Sequence, residues 1–318
     1  MILRACALSL VALAAIGCKK NAIDSPDVVK REQEVKQRIA AAAQSESPTA
    51  VAKWLMPDVL REISGIALTS DGRILGHNDE RSRVFVIDPM RGVITKSFSV
   101  GERGMTADFE AIAVYGDRFF LLTSNGDIYE FKEGKQNEVV PFTKHVTGLG
   151  EQCEFESLEV EPRTGAFILA CKNINKKSER TQLMIFRWVR QDGGAGSVTR
   201  ISVPLADAIG TNDWKTLSPS DIAIDPSTGN YVMVAGPEKA LIEITPQGQV
   251  VQSMPLPGNP QQPEGVVVTP GGLLIVADEA VSRDGDITIY PWAALSGRGA
   301  SPAMRDTTAA DSTAAVTN

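Results

Sequence analysis

Five short phrases carry the side chains with the most chemical potential: Ser64-Gly65-Ile66-Ala67, Glu110-Ala111-Ile112-Ala113, Glu156-Ser157-Leu158-Glu159, Ser220-Asp221-Ile222-Ala223 and Glu264-Gly265-Val266-Val267. Successive copies are 46, 46, 64 and 44 residues apart. If the copies converge in space, several carboxyl groups meet, and like charges that close cannot all stay ionised without compensation. A divalent cation bound through carboxylate oxygens, Ca2+ above all, is the expected compensation. Glu110, Glu156, Asp221 and Glu264 from the phrases, with Asp278 from a later run, form the expected ligand set. Asn78, Asp79, Ser124, Asn125, Asn173, Asp278 and Glu279 form a second tier of oxygen-bearing side chains. A plainer account stands beside this one: turns favour Asp, Asn and Ser, and the inner glutamates can simply hydrogen-bond backbone NH groups or stay hydrated. His77 ends a strand on the same side as the acidic phrases and can serve as a base or as a structural contact, whereas His145 falls in a loop with no evident partner. The chain contains no Gly-x-Ser-x-Gly elbow, phosphate-binding loop or dinucleotide fingerprint.

Such convergence requires a fold that returns to one axis. A period of about 40 to 50 residues built only of strands is the signature of a β-propeller blade. Short runs rich in Val, Ile and Phe alternate with turn sequences such as Ser70-Asp71-Gly72, Tyr115-Gly116-Asp117 and Asn125-Gly126-Asp127. The expected fold is all-β, with five four-stranded blades; six are possible if one blade has diverged. The fifth blade shows only three good strands, so residues within Trp54 to Leu60 are expected to supply the fourth and close the ring. The propeller then spans 53–295. Residues 19–52 read as a polar, partly helical tether, and 296–318 as a disordered tail.

Arg4, the apolar run Ala7 to Ile16 and the small residues before Cys18 read as an export signal, too short to span a bilayer permanently. Once the signal is removed, Cys153 and Cys171 are the thiols of the folded domain. They flank one hairpin, and two readings stand: a disulfide in an oxidising compartment or two partly buried free cysteines. A zinc site is not expected with only those two cysteines, His77 and His145. The formal net charge of −7 and the lack of a basic stripe argue against nucleic acid as a partner.

Ala15-Ile16-Gly17-Cys18 resembles the bacterial lipobox, with Ala15 in place of the usual leucine or valine. The resemblance implies a lipoprotein signal peptide over 1–18, cleaved so that Cys18 becomes the lipidated first residue of the mature protein, hence a membrane partner and a place in the cell envelope; simple secretion is the alternative. Glu62-Ile63-Ser64-Gly65-Ile66-Ala67, Asp108-Phe109-Glu110-Ala111, Pro263-Glu264-Gly265-Val266, Asn78-Asp79-Glu80 and Ala277-Asp278-Glu279 resemble the SdiA-regulated (YjiK-like) propeller family of exported bacterial proteins, over about Ile63 to Tyr290. Asp108-Phe109-Glu110-Ala111 is also similar to an element of phytase-like, esterase-like propellers, with Ala111 replacing a glycine. Glu264 followed by Asp278 resembles the metal ligands of gluconolactonase-type propellers, for which Asn173 is the one matching asparagine. Together these imply a ligand-binding or scaffolding module with a Ca2+-binding channel mouth, serving an unknown small molecule or envelope protein. The alternative is a metal-dependent hydrolase of lactones or phosphate esters that uses the same residues.

Overall fold

A computed structural model describes residues 22–45, 47–79, 81–102, 105–191 and 196–298. The expected signal segment, Cys18 and the tail beyond 298 lie outside them. Helix α1 (Pro26–Ala42) begins at Ser25, whose Oγ accepts from Val28 N at 3.4 Å, and Pro26 sits in the first turn where its missing N–H costs nothing. Strand β1 (Ala52–Leu55) follows. No described helix is long and apolar enough to cross a membrane.

Five sheets then succeed one another. Blade 1 holds β2 (Ile63–Leu68), β3 (Ile74–Asn78), β4 (Arg83–Asp88) and β5 (Val93–Val100). Blade 2 holds β6 (Phe109–Tyr115), β7 (Arg118–Thr123) and β8 (Ile128–Phe131), with β10 (Phe142–His145) outermost; the short β9 (Val139–Val140) instead runs parallel to β5 and bridges to blade 1. Blade 3 holds β11 (Cys153–Val160), β12 (Phe167–Ile174), β13 (Gln182–Val189) and β14 (Ser197–Pro204). Blade 4 holds β15 (Pro219–Ile224), β16 (Tyr231–Ala235), β17 (Ala240–Ile244) and β18 (Val250–Pro255). Blade 5 holds β19 (Pro263–Val268), β20 (Leu273–Asp278) and β21 (Asp286–Pro291). The chain is therefore a five-bladed β-propeller. Each first strand packs on the next around the ring, β2 on β6, β6 on β11, β11 on β15, β15 on β19 and β19 back on β2.

Ring closure follows the expected plan with a shift in place. β1 pairs with β21, Trp54 opposite Ile287, while Asp58–Leu60 forms a 3-10 turn rather than strand. The closing blade also receives α1, which the sequence suggests only as a tether. Val35 is buried in one apolar cluster with Val51, Ile87 and Ile289, and Glu32 pairs with Arg91 at 2.7 Å. His145, expected in a loop without a partner, ends β10 and meets Glu130 Oε2 at 2.8 Å through Nε2.

The last described residue forms a second closure. Arg298 reaches Asp225 Oδ2 at 2.7 Å and also Glu243; both carboxylates are buried. Trp292 Nε1 donates to the same Asp225 oxygen at 2.8 Å. Arg298→Ala leaves two buried acceptors short of a donor, so unfolding in urea should show a loss of about 1–3 kcal/mol. An unchanged midpoint would mean that solvent satisfies both groups.

Candidate functional site

In every blade the pairing between first and second strand skips one residue near the start. Ile63 pairs with Asn78 and Gly65 with His77, leaving Ser64 out. The same irregularity leaves out Glu110, Glu156, Ser220 and Glu264. A β-bulge bends its strand and re-aims the extra residue, so these five side chains leave the regular in-and-out alternation at one level of the ring. The repeated phrase is thus a repeated bulge.

Three of the five are glutamates, and a lysine stands among them. Lys172, near the end of β12, donates from Nζ to Glu156 Oε1, and its charge acts on Glu264 and Glu110 as well. Burial pulls the Lys172 pKa down, but the bond to Glu156 and the surrounding carboxylates outweigh it and hold the ammonium above its usual range. Burial raises Glu110 to about 8, helped by the charges of Glu156 and Asp108. It raises Glu264 to about 8, helped by Glu156, and Glu156 itself to about 7 against the pull of Lys172. Glu156 is 5% exposed, and its Oε2 is buried with no hydrogen-bond partner among the described residues.

The wall beyond is polar. Ser124 donates to Asp108 at 2.5 Å, Asn173 to Glu154 at 2.7 Å and Gln262 to Glu279 at 2.6 Å. Burial and the charges of Asp79 and Glu62 push Glu279 upward. A Cβ on Gly236 would stand 2.9 Å from Glu264 Oε1 and 3.0 Å from Ser220 Oγ, so only glycine leaves that carboxyl its room. His77 is fully buried and neutral, its pKa drawn to about 4 by burial. Its Nδ1 donates to Asn78 O at 3.1 Å, and Nε2, packed over Gly65, has no partner among the described residues.

Not all of the expected ligands join this cluster. Asp221 accepts from Ile222 N and Val266 N, each at 2.8 Å, and fastens blade 4 to blade 5. Asp278 accepts from Gln261 N at 2.8 Å and Gln262 N at 2.7 Å, and Arg283 lies 3.2 Å away. Asn78 donates to Val59 O, and Asn125 serves its own turn by accepting from Thr123 Oγ1. Among the described residues no group of three or more His, Cys, Asp or Glu side chains is arranged to hold a metal. Lys172 and Gly236 are the site residues the sequence reading omits. Both lie at second-strand ends, where oxygen-bearing residues draw the eye. Cys153 and Cys171 are joined as a disulfide, Cα to Cα 5.5 Å, which ties β12 to β11 one residue before Lys172.

Residues 212–291 match the SdiA-regulated family. The matched stretch covers blades 4 and 5, including Asp221, Gly236, Glu264 and Asp278. No curated protein matches the chain. Among solved structures, the glutaminyl cyclase of Myxococcus xanthus aligns with a TM-score of 0.51 at 14% identity, over 76% of this chain and 96% of the enzyme. A luciferin-regenerating enzyme aligns with a TM-score of 0.50 at 10% identity, over 77% and 95%. At such identities the likeness speaks for the propeller fold alone.

The raised carboxyls have a consequence for stability. Glutamates in the unfolded chain titrate near the ordinary 4.5, those of the mouth near 7 to 8. The folded state therefore holds protons the unfolded chain has released. Their contribution is complete below about pH 4.5 and is lost as pH rises through 7 to 8. His77 acts in the opposite sense, but only as pH falls below its ordinary 6.5. Between pH 6.5 and 8.5 the melting temperature should fall by several degrees. Glu264→Gln should flatten the slope, and a slope parallel to the wild type would contradict the assignment.

Proposed function

We propose that the chain is an exported, lipid-anchored binding module whose channel mouth takes a cationic group of a small molecule or envelope protein. The observation that carries the reading is Glu156: one oxygen engages Lys172, the other is buried without a partner, and Glu110 and Glu264 flank it. An organic ammonium or guanidinium brings several N–H donors to such a set at once. Calcium fits it less well. It takes six to eight oxygens, whereas Asp221 and Asp278 already serve backbone amides, and an ammonium stands among the remaining three carboxyls. The hydrolase alternative relies on the same metal and is not carried forward.

Export and anchoring belong to the proposal. The Cys153–Cys171 disulfide suits an oxidising compartment, and the lipobox-like run ending in Cys18 suits lipidation. Incorporation of a labelled fatty acid in cells, lost in Cys18→Ser, is the expected result; equal labelling of both proteins would remove the anchor.

For the ligand, the test is calorimetric titration of the full chain with putrescine, arginine methyl ester and CaCl2. Saturable binding of an organic cation is expected, weakened about tenfold by Glu156→Gln through loss of a charged acceptor. Silence with both organic cations would overturn the reading, and heat from Ca2+ alone would return the site to a metal.

A further inference from the structure

The propeller axis has a second end. Opposite the acidic mouth, the turns joining first and second strands of blades 1, 2, 3 and 5, with Pro89 and Met90 from the turn between β4 and β5, line an open cup of about 800 Å3. Leu68, Met90, Val114, Leu273 and Ile275 are among its walls, with Tyr115 as its one aromatic ring. No charged residue lines it, although 22% of the chain is Asp, Glu, Lys or Arg. Such a volume lies within the range of about 300–1,000 Å3 found for small-molecule sites. A charged group buried here would lose its hydration with nothing in return.

We propose that this cup binds an aliphatic acyl chain. Its walls are aliphatic rather than aromatic, so they offer contact area without a stacking face. Ser70 and Tyr115 supply hydroxyl groups for a carboxyl or ester head, whereas Thr69 Oγ1 already donates to Asp71 and Thr269 Oγ1 accepts from Leu273 N. Position supports the same occupant. Helix α1 packs through Val35 and Ile39 into the cluster that holds Leu68, Met90 and Leu273. Asp24 pairs with Arg91, the neighbour of Met90, at 3.7 Å. The chain thus enters the described structure beside the cup, and Cys18 precedes Ala22 by four residues, a span of at most about 14 Å. An acyl chain borne on Cys18 is within reach; so is one from a free lipid, which requires no modification of the protein.

The test uses the full chain in two forms, acylated and Cys18→Ser, each titrated with the fluorescent fatty acid cis-parinaric acid. Cys18→Ser should bind one equivalent saturably, and palmitate should displace it. Val114→Lys places a charge in the wall, and Gly271→Trp fills the cup from an exposed turn, where a Cβ would meet only Thr269 Oγ1, in ordinary contact at 3.7 Å. Either substitution should weaken the probe at least tenfold and leave any cation binding at the far mouth unchanged; Gly271→Trp should do so at an unchanged melting temperature, whereas Val114→Lys, beside an apolar cluster, should lower it. Failure of the acylated form to take up the probe identifies the protein's own lipid as occupant, and equal uptake by both forms identifies a free one. Absence of saturable binding by Cys18→Ser, or affinity unchanged in both cup variants, overturns the proposal.

Discussion

Gathering Glu110, Glu156 and Glu264 at one end of a channel raises an electrostatic problem that Lys172 answers. Burial alone drives carboxyl groups toward their neutral form, and mutual repulsion adds to it. An ammonium bonded to Glu156 and acting on the other two offsets both effects in part, which is why the three groups are raised to about 8, 7 and 8 rather than driven out of the site. The arrangement depends on backbone geometry before charge. Without the bulges, side chains at these positions would follow the ordinary alternation of their strands. Without ring closure by β1, the first strands would have no common axis.

The sequence makes the fold and the inner acidic residues legible because a repeat of fixed meaning needs no tertiary information. Alternating apolar runs and turn residues locate nearly every strand, and the spacing of the phrases supplies the ring. Fine placement is harder. β9 leaves its own blade for the edge of β5, a choice set by packing between blades that no local pattern in 138–142 records. Helix α1 has a weak apolar stripe and so looks like a linker, yet Val35 and Ile39 find a ready surface where the ring closes. Within the site, charge type misleads. Asp221 and Asp278 look like ligands but cap backbone amides, whereas Lys172 looks like a solvated surface residue until β12 brings it to Glu156.

The two ends of the channel have opposite characters on one set of strands. Where the first strands begin, carboxyl groups and one ammonium set a polar, proton-rich mouth. Where they end, the connecting turns leave a cup lined without charge. Helix α1 and Arg298 both attach near that apolar end, through Arg91 and through Asp225. A chain tethered by its N-terminal segment would therefore present the acidic mouth away from the tether.

Carbon-13 NMR of side-chain carboxyls in glutamate-labelled protein, wild type against Lys172→Met, tests this electrostatic account most directly. The account predicts wild-type midpoints near 7 to 8 for Glu110, Glu156 and Glu264, all moving upward, Glu156 most, when the ammonium is removed. Midpoints near the ordinary 4.5, or values indifferent to Lys172, would contradict it.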